Sequence, residues 1–184
     1  AKQTINAAGV WIDELQEMLG GRGQFQVRAS KGIHLVVPRN RINSMTGLIT
    51  RTEKSLLFII PWGSHWIIGT TDTDWRLDRA HPAASQADID YLLGHANTLL
   101  ADPLTRDDVI GVYAGLRPLL AGESDSTSKL SREHAVASPV RGLVMIAGGK
   151  YTTYRIMAKD AVDAAVRELN QKVPASCTED VPLL

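Results

Sequence analysis

An α+β fold, with a mixed or largely antiparallel sheet and flanking helices, is predicted by three stretches of this chain. From Gln24 to Thr73 the apolar residues come in short runs (Phe25 and Val27; Ile33, Leu35 and Val37; Leu56 to Ile60; Trp66 to Ile68) separated by Pro, Gly, Asn and Ser, the pattern of strands. From Ser85 to Leu100 the period changes to that of a helix. Beyond Val109 strand-like runs return and lead into a last helical segment. The chain has 184 residues, 44% hydrophobic and 22% charged, which suits one large domain or two small ones with a core of their own.

Taken in order, Val10, Trp11, Leu15, Met18 and Leu19 recur at helical spacing between Ala7 and Leu19, opposite Asp13, Glu14 and Glu17, and Gly20 with Gly21 provides a stop. Gly23 lies close by, but these glycines do not fit the dinucleotide fingerprint and follow a helix. The preceding INAAG resembles a strand end, so the chain is expected to enter in mid-fold. Pro61 to Ser64 predicts a hairpin connection. Ser85 stands where an N-cap belongs, with Asp88 three residues on, and Ile89, Leu92, Leu93, Ala96, Leu99 and Leu100 form one apolar face. Strands follow at Val109 to Ala114, Ala135 to Ser138 and Leu143 to Ala147. A last helix is predicted from about Thr153 to Lys172 with Met157, Ala158, Ala161, Val162, Ala165 and Leu169 inward, and 173–184 as a linker.

Twenty Lys plus Arg balance 20 Asp plus Glu, and no basic stripe is present, which argues against nucleic-acid binding. The single cysteine, Cys177, cannot form an intrachain disulfide and fits a reducing compartment. The longest apolar block, Leu56 to Ile60, is far too short to span a bilayer. P-loop, HExxH and CxxC signatures are absent, and no metal site is expected. His65, His81, His95 and His134 have no metal-ligand spacing, and Asp72 with Asp74 predicts a turn with side-chain caps.

Three constellations could carry chemistry. Gly148 to Arg155 (GGKYTTYR) lies between a predicted strand and a predicted helix, where two glycines let a ligand approach the backbone, the opening amides present unpaired donors, and Lys150 adds a charge; an ordinary strand-to-helix turn has the same pattern. In GLRPLL, Arg117 stands at a predicted strand end before Pro118, and Arg132 follows fifteen residues on. Both guanidinium groups could converge on one small anion, or pair with Glu123 and Asp125. In RASKGIH, His34 shares a strand face with Val36, opposite Ile33, Leu35 and Val37, and is either a packed histidine or a base for a substrate proton.

In order, INAAGVWID, SKGIHLVVPR, IIGTTDTD, GLRPLL with ESDS and SR after it, and GGKYTTYR resemble the middle of the FAD-dependent glycerol-3-phosphate dehydrogenases, the flavoproteins related to glycerophosphate oxidase. The resemblance runs from Ile5 to about Ala165. It implies oxidation of the C2 hydroxyl of sn-glycerol 3-phosphate to the ketone of dihydroxyacetone phosphate, with hydride passing to FAD and electrons to quinone. It places His34 near that hydroxyl as base, Arg117 and Lys150 on the substrate oxygens, and Arg132 on the phosphate. Gly149, Lys150, Tyr151 and Thr152 resemble the stretch meeting the isoalloxazine pyrimidine edge. Ala7, Ala8 and Gly9 resemble the segment closing over the dinucleotide part of FAD.

The implied organisation is 1–23 as the tail of an FAD-domain segment, 24–115 as a substrate-binding cap sheet with its helix, and 116–172 as the return to a Rossmann-like FAD domain. The family's GxGxxG and a helical C-terminal region would flank this chain, so it is expected to be a fragment that neither holds FAD tightly nor turns over alone. The resemblance also implies a cytoplasmic enzyme, peripheral at times on the inner face of the cytoplasmic membrane, and a possible homodimer. Two other readings are open: a different FAD-dependent amine or hydroxy-acid oxidase, since a carboxylate would suit Arg117 equally, and a non-catalytic binding or interaction domain.

Overall fold

The computed structural model describes residues 1–20, 25–121, 133–169 and 172–183. Its elements are β1 (Thr4–Asn6), α1 (Ile12–Glu17), β2 (Val27–Pro38), β3 (Leu48–Arg51), β4 (Leu56–Trp62), β5 (His65–Gly69), β6 (Thr73–Asp74), α2 (Gln86–Asn97), β7 (Gly111–Leu120), β8 (His134–Val140), β9 (Leu143–Gly148) and α3 (Tyr154–Val166), with short 3-10 turns at Gly9–Trp11 and Tyr151–Thr153. They form two compact units, residues 29–117 and residues 1–28 with 118–184.

The inserted unit is built on a sheet in the order β3-β4-β5-β2-β6, with β7 also paired to β2. β3, β4, β5 and β2 are antiparallel neighbours, and Trp62 opposite His65 leaves Gly63 and Ser64 as a two-residue turn. Gly63 has φ +56°, the left-handed conformation that such a turn requires. Strand alternation divides the sheet into two faces. Ile33, Leu35 and Val37, with Leu57, Ile59, Trp66 and Ile68, pack on Leu92, Leu93 and Ala96 of α2 to form the core. His34 and Val36 lie on the other face, with Phe58, Ile60, Ile67 and Trp62 in register beside them. There Ile49 and Trp62 remain 68% and 67% exposed.

α2 begins as the sequence predicts. Ser85 Oγ accepts from the Asp88 amide at 3.2 Å, and Asp88 Oδ2 accepts from the Ser85 amide at 2.8 Å, a complete capping box. Ser85→Ala removes half of it and is expected to cost about 1 kcal/mol in urea unfolding of the protein. The helix ends at Asn97, so Leu99 lies beyond it and is exposed rather than on the core face.

The other unit holds a three-stranded sheet in the order β1-β9-β8. β1 is parallel to β9, Thr4 opposite Leu143, and β8 is antiparallel to β9. α1 is shorter than predicted and shows a different face. Val10, Ile12 and Gln16 are buried, whereas Trp11, Leu15, Met18 and Leu19 are exposed. The polar Gln16 lies inside because its amide pairs with both backbone groups of Phe25, donating at 2.7 Å and accepting at 3.1 Å, while Asp13 accepts from the Val27 amide. Periodicity counts only apolar residues and passes over such an anchor. α3 ends at Val166, short of the predicted Lys172. Ala161 and Ala165 are its buried residues, and Ala158 and Val162 face outward. Small alanines let the helix approach the sheet closely, so a narrow stripe suffices.

Candidate functional site

Arg117 lies within β7, not at a strand end, because β7 runs on through Pro118 to Leu120. A proline is tolerated in a strand where its nitrogen has no partner to serve. The Ile110 amide donates to the Val36 carbonyl at 3.0 Å, and the Arg117 guanidinium reaches back to Gly32, so β7 runs antiparallel to β2. A Cβ built on Gly32 would lie 2.2 Å from Arg117 Nη2. The guanidinium therefore lies flat over Gly32, on the face that carries His34.

Its orientation is fixed from the facing strand pair. The β5-to-β2 ladder stops at Gly69 and resumes at Thr73, and in the gap Thr71 Oγ1 accepts from the Ile33 amide at 3.1 Å. Thr70 and Thr71 are thereby turned to the guanidinium: Arg117 Nη2 donates to Thr70 Oγ1 at 2.8 Å, and Nη1 to the Thr71 carbonyl at 3.2 Å. A planar fork held at two points is aimed, not free to swing.

His34 stands opposite Gly69 in the register. A Cβ at Gly69 would meet His34 Cδ2 at 2.2 Å, so the imidazole lies across that glycine. On its other side Tyr113 of β7 stacks with it, ring centroids 4.9 Å apart and planes within 11°. Burial, and secondarily the positive charge of Arg117, hold the imidazole pKa below its ordinary value. A neutral ring beside an immobilised guanidinium can accept a proton from a hydroxyl whose developing charge the guanidinium stabilises. Gly69→Ala is expected to drive the ring from its place and to destabilise the protein by about 1–3 kcal/mol in thermal unfolding.

Beneath this face, Lys31 is buried at 4% exposure. Its Nζ donates to Asp88 Oδ2 at 2.6 Å and to the Ala83 carbonyl at 3.0 Å, and lies 4.9 Å from the Trp75 ring centre. Burial raises the Asp88 carboxyl, but hydrogen bonds from Lys31 and Ser85 outweigh it and leave the pKa below the usual value.

Lys150, Gly149, Tyr151 and Thr152 belong to the other unit. β9 ends at Gly148 and Gly149 follows it, with φ +74° and +82°, and Lys150 to Thr153 lead into α3. Gly148 could not be another residue, since a Cβ would lie 2.4 Å from the Glu133 carbonyl oxygen. Thr153 Oγ1 accepts from the Lys150 amide at 3.3 Å and donates to the Lys150 carbonyl at 3.0 Å, closing the turn. Lys150, Tyr151 and Thr152 are exposed. Because β1 and β9 are parallel, the Ala7–Gly9 turn before α1 and the Gly149–Thr152 turn before α3 lie at the same end of their strands, the end where α/β sheets bind ligands. Arg132 and Ser131, with Glu123 and Asp125, lie outside the described residues.

Sequence reasoning missed Thr70 and Thr71 as the Arg117 clamp, Tyr113 as the His34 neighbour, and the Lys31–Asp88 pair. His134 Nε2 lies 2.8 Å from Asp160 Oδ2. Two cavities in this unit, of about 380 and 550 Å³, line α3 and include neither His34, Arg117 nor Lys150. Among the described residues no cluster could hold a metal ion, and no helix is long and apolar enough to cross a membrane.

Comparison with known proteins gives this geometry a family. The chain is 69% identical over 180 residues to glycerol-3-phosphate dehydrogenase 2 of Mycobacterium tuberculosis, covering 98% of this chain and 31% of that protein. It spans about a third of the length of the curated relatives it matches. The solved glycerol-3-phosphate dehydrogenase of Bacillus halodurans, complexed with FAD, superposes with a TM-score of 0.80 at 37% identity, covering 96% of this chain and 34% of that one. The FAD-bound L-alpha-glycerophosphate oxidase of Mycoplasma pneumoniae shares the fold, with a TM-score of 0.62 at 20% identity and coverage of 96% and 44%. With residues 1–160 matching the family model of FAD dependent oxidoreductases, the chain belongs to that family.

Proposed function

We propose that this chain is part of a flavoprotein that oxidises sn-glycerol 3-phosphate to dihydroxyacetone phosphate. The observation that carries the reading is the placement of His34 and Arg117 on one sheet face, each laid over a glycine where an added Cβ would collide with it. The 69% identity to a glycerol-3-phosphate dehydrogenase supports the choice of substrate. The segments proposed for the FAD domain are 1–23 and 116–172, and the segment proposed for substrate is 24–115.

The residues after β1 and β9 suit FAD. Ala7, Ala8 and Gly9 leave the backbone open, and Gly9 has φ +59°. The turn from Gly149 to Thr152 leads into the positive end of α3, which favours negative charge on the flavin pyrimidine edge. When bound, FAD supplies the hydride acceptor. A ring nitrogen of His34 takes the C2 hydroxyl proton as the C2–H hydride leaves, and the ketone forms. Arg117 steadies the oxygen as its charge grows. Lys150 on a substrate oxygen and Arg132 on the phosphate complete the assignment, both resting on the family resemblance. Transfer of electrons to quinone, peripheral membrane association, a cytoplasmic location and a homodimer are further parts of the proposal for the whole protein.

Anaerobic addition of sn-glycerol 3-phosphate to the flavin-loaded protein that carries this chain is expected to bleach the oxidised flavin absorbance. Dihydroxyacetone phosphate is expected to inhibit more tightly than simple carboxylates. No bleaching, or tighter inhibition by carboxylates, would move the assignment to an amine or hydroxy-acid oxidase.

A further inference from the structure

We propose that Tyr113 is a positioning residue for His34, its ring fixing the plane of the imidazole that takes the substrate proton. The inference rests on His34 being the base of the proposed reaction. An imidazole on a strand has a broad torsion about its Cβ–Cγ bond, so a base on a sheet needs its ring held from outside its own strand. Two neighbours do this here. Gly69 of β5 offers a flat backbone surface beneath the ring, and Tyr113 of β7 covers it with near-parallel planes at 4.9 Å.

The pairing is cross-strand, between elements whose own positions are fixed by the β2 ladder. Among the described residues the Tyr113 hydroxyl makes no hydrogen bond, and the side chain stays 48% exposed, so the stack is its evident packing role. Burial raises the Tyr113 phenol pKa, which keeps it neutral over the working range of a histidine base. The charged group acting on His34 is Arg117 of β7; β5 presents Gly69, with Thr70 just beyond it, and β4 presents Phe58, none of which titrates. The tyrosine ring therefore acts by cover and by geometry, not by charge.

The test uses the flavin-loaded protein that carries this chain, in four forms: unaltered, Tyr113→Phe, Tyr113→Leu and His34→Gln. Tyr113→Leu is expected to lower kcat about tenfold with KM within twofold, in line with the strength of one aromatic stack. It is also expected to move the acid limb of the kcat profile up towards the ordinary histidine value of about 6.5. Tyr113→Phe keeps the ring and is expected to restore both. Where Tyr113→Leu does not fold, Tyr113→Met removes the ring at similar volume. An NMR titration of His34 in each form reads its pKa without reference to turnover. Unchanged kcat and unchanged His34 titration in Tyr113→Leu would overturn the proposal, as would equal losses in the Phe and Leu variants. Unimpaired turnover in His34→Gln would instead show that His34 is not the base, and would overturn both readings together.

Discussion

Exchanging His34 for glutamine in the flavin-loaded protein is expected to lower kcat by about 10²–10⁴-fold, the usual contribution of a positioned general base. Glutamine keeps polarity and nearly the same reach but cannot accept a full proton. Binding of substrate, which falls to the arginines and Lys150 in the proposed assignment, should change little, so the loss appears in turnover and not in KM. The pH dependence follows from the direction of the His34 shift. Burial, and then Arg117, depress the pKa, so the neutral base persists below the ordinary histidine value. Activity should therefore hold as pH falls past about 6.5 and decline only through a lower value. The same shift means that His34 favours the folded state fully above the unfolded pKa and loses that contribution as pH falls through the folded one. An acid limb at or above 6.5 in the unaltered protein would contradict this account.

Breaking the ion pair beneath the site is expected to be the costliest single change to stability. Lys31→Met leaves Asp88 charged among buried neighbours, and a buried pair that loses one member costs about 3–5 kcal/mol. The Ser85 amide and hydroxyl still donate to Asp88, each at 2.8 Å, which places the expected loss near the lower end. Urea unfolding of the protein at neutral pH measures it. Because the Asp88 pKa is lowered, the contribution is present above the ordinary carboxylate value and fades as pH falls through the folded one, so the variant and the unaltered protein should converge in acid. Lys31 is also one residue from Gly32, on which the Arg117 guanidinium lies. A looser β2 at this point would be felt at the Arg117 guanidinium as well.

Much of this architecture was legible because single elements announce themselves. Ser85 with Asp88, and the apolar stripe behind them, specify the start and face of α2. The alternation from Ile33 to Val37 puts His34 on the face away from the core. Other features depend on residues distant in sequence, and no local pattern carries them. Thr70 and Thr71 look like turn residues until Arg117 arrives from β7. Asp88 looks like a cap until Lys31 arrives from β2. Tyr113 reads as one more strand residue, and its register against His34 exists only once β7 has paired. β3 escaped notice because its four residues, LITR, carry only two apolar side chains, one of them exposed. The boundaries of α1 and α3 shifted where buried polar or small residues replaced the large apolar ones that periodicity counts.

The parallel pairing of β1 with β9 has a kinetic side. Thr4 must meet Leu143, so this ladder closes a loop of about three quarters of the chain, whereas β4 and β5 meet across a two-residue turn. Long closures are entropically slow and gain little until the intervening chain has been shortened. The hairpins and α2 of the inserted unit have a core of their own and can condense first, drawing the two ends of the segment together before β1 finds β9. Substitutions in that core would then delay a three-stranded sheet to which they do not belong.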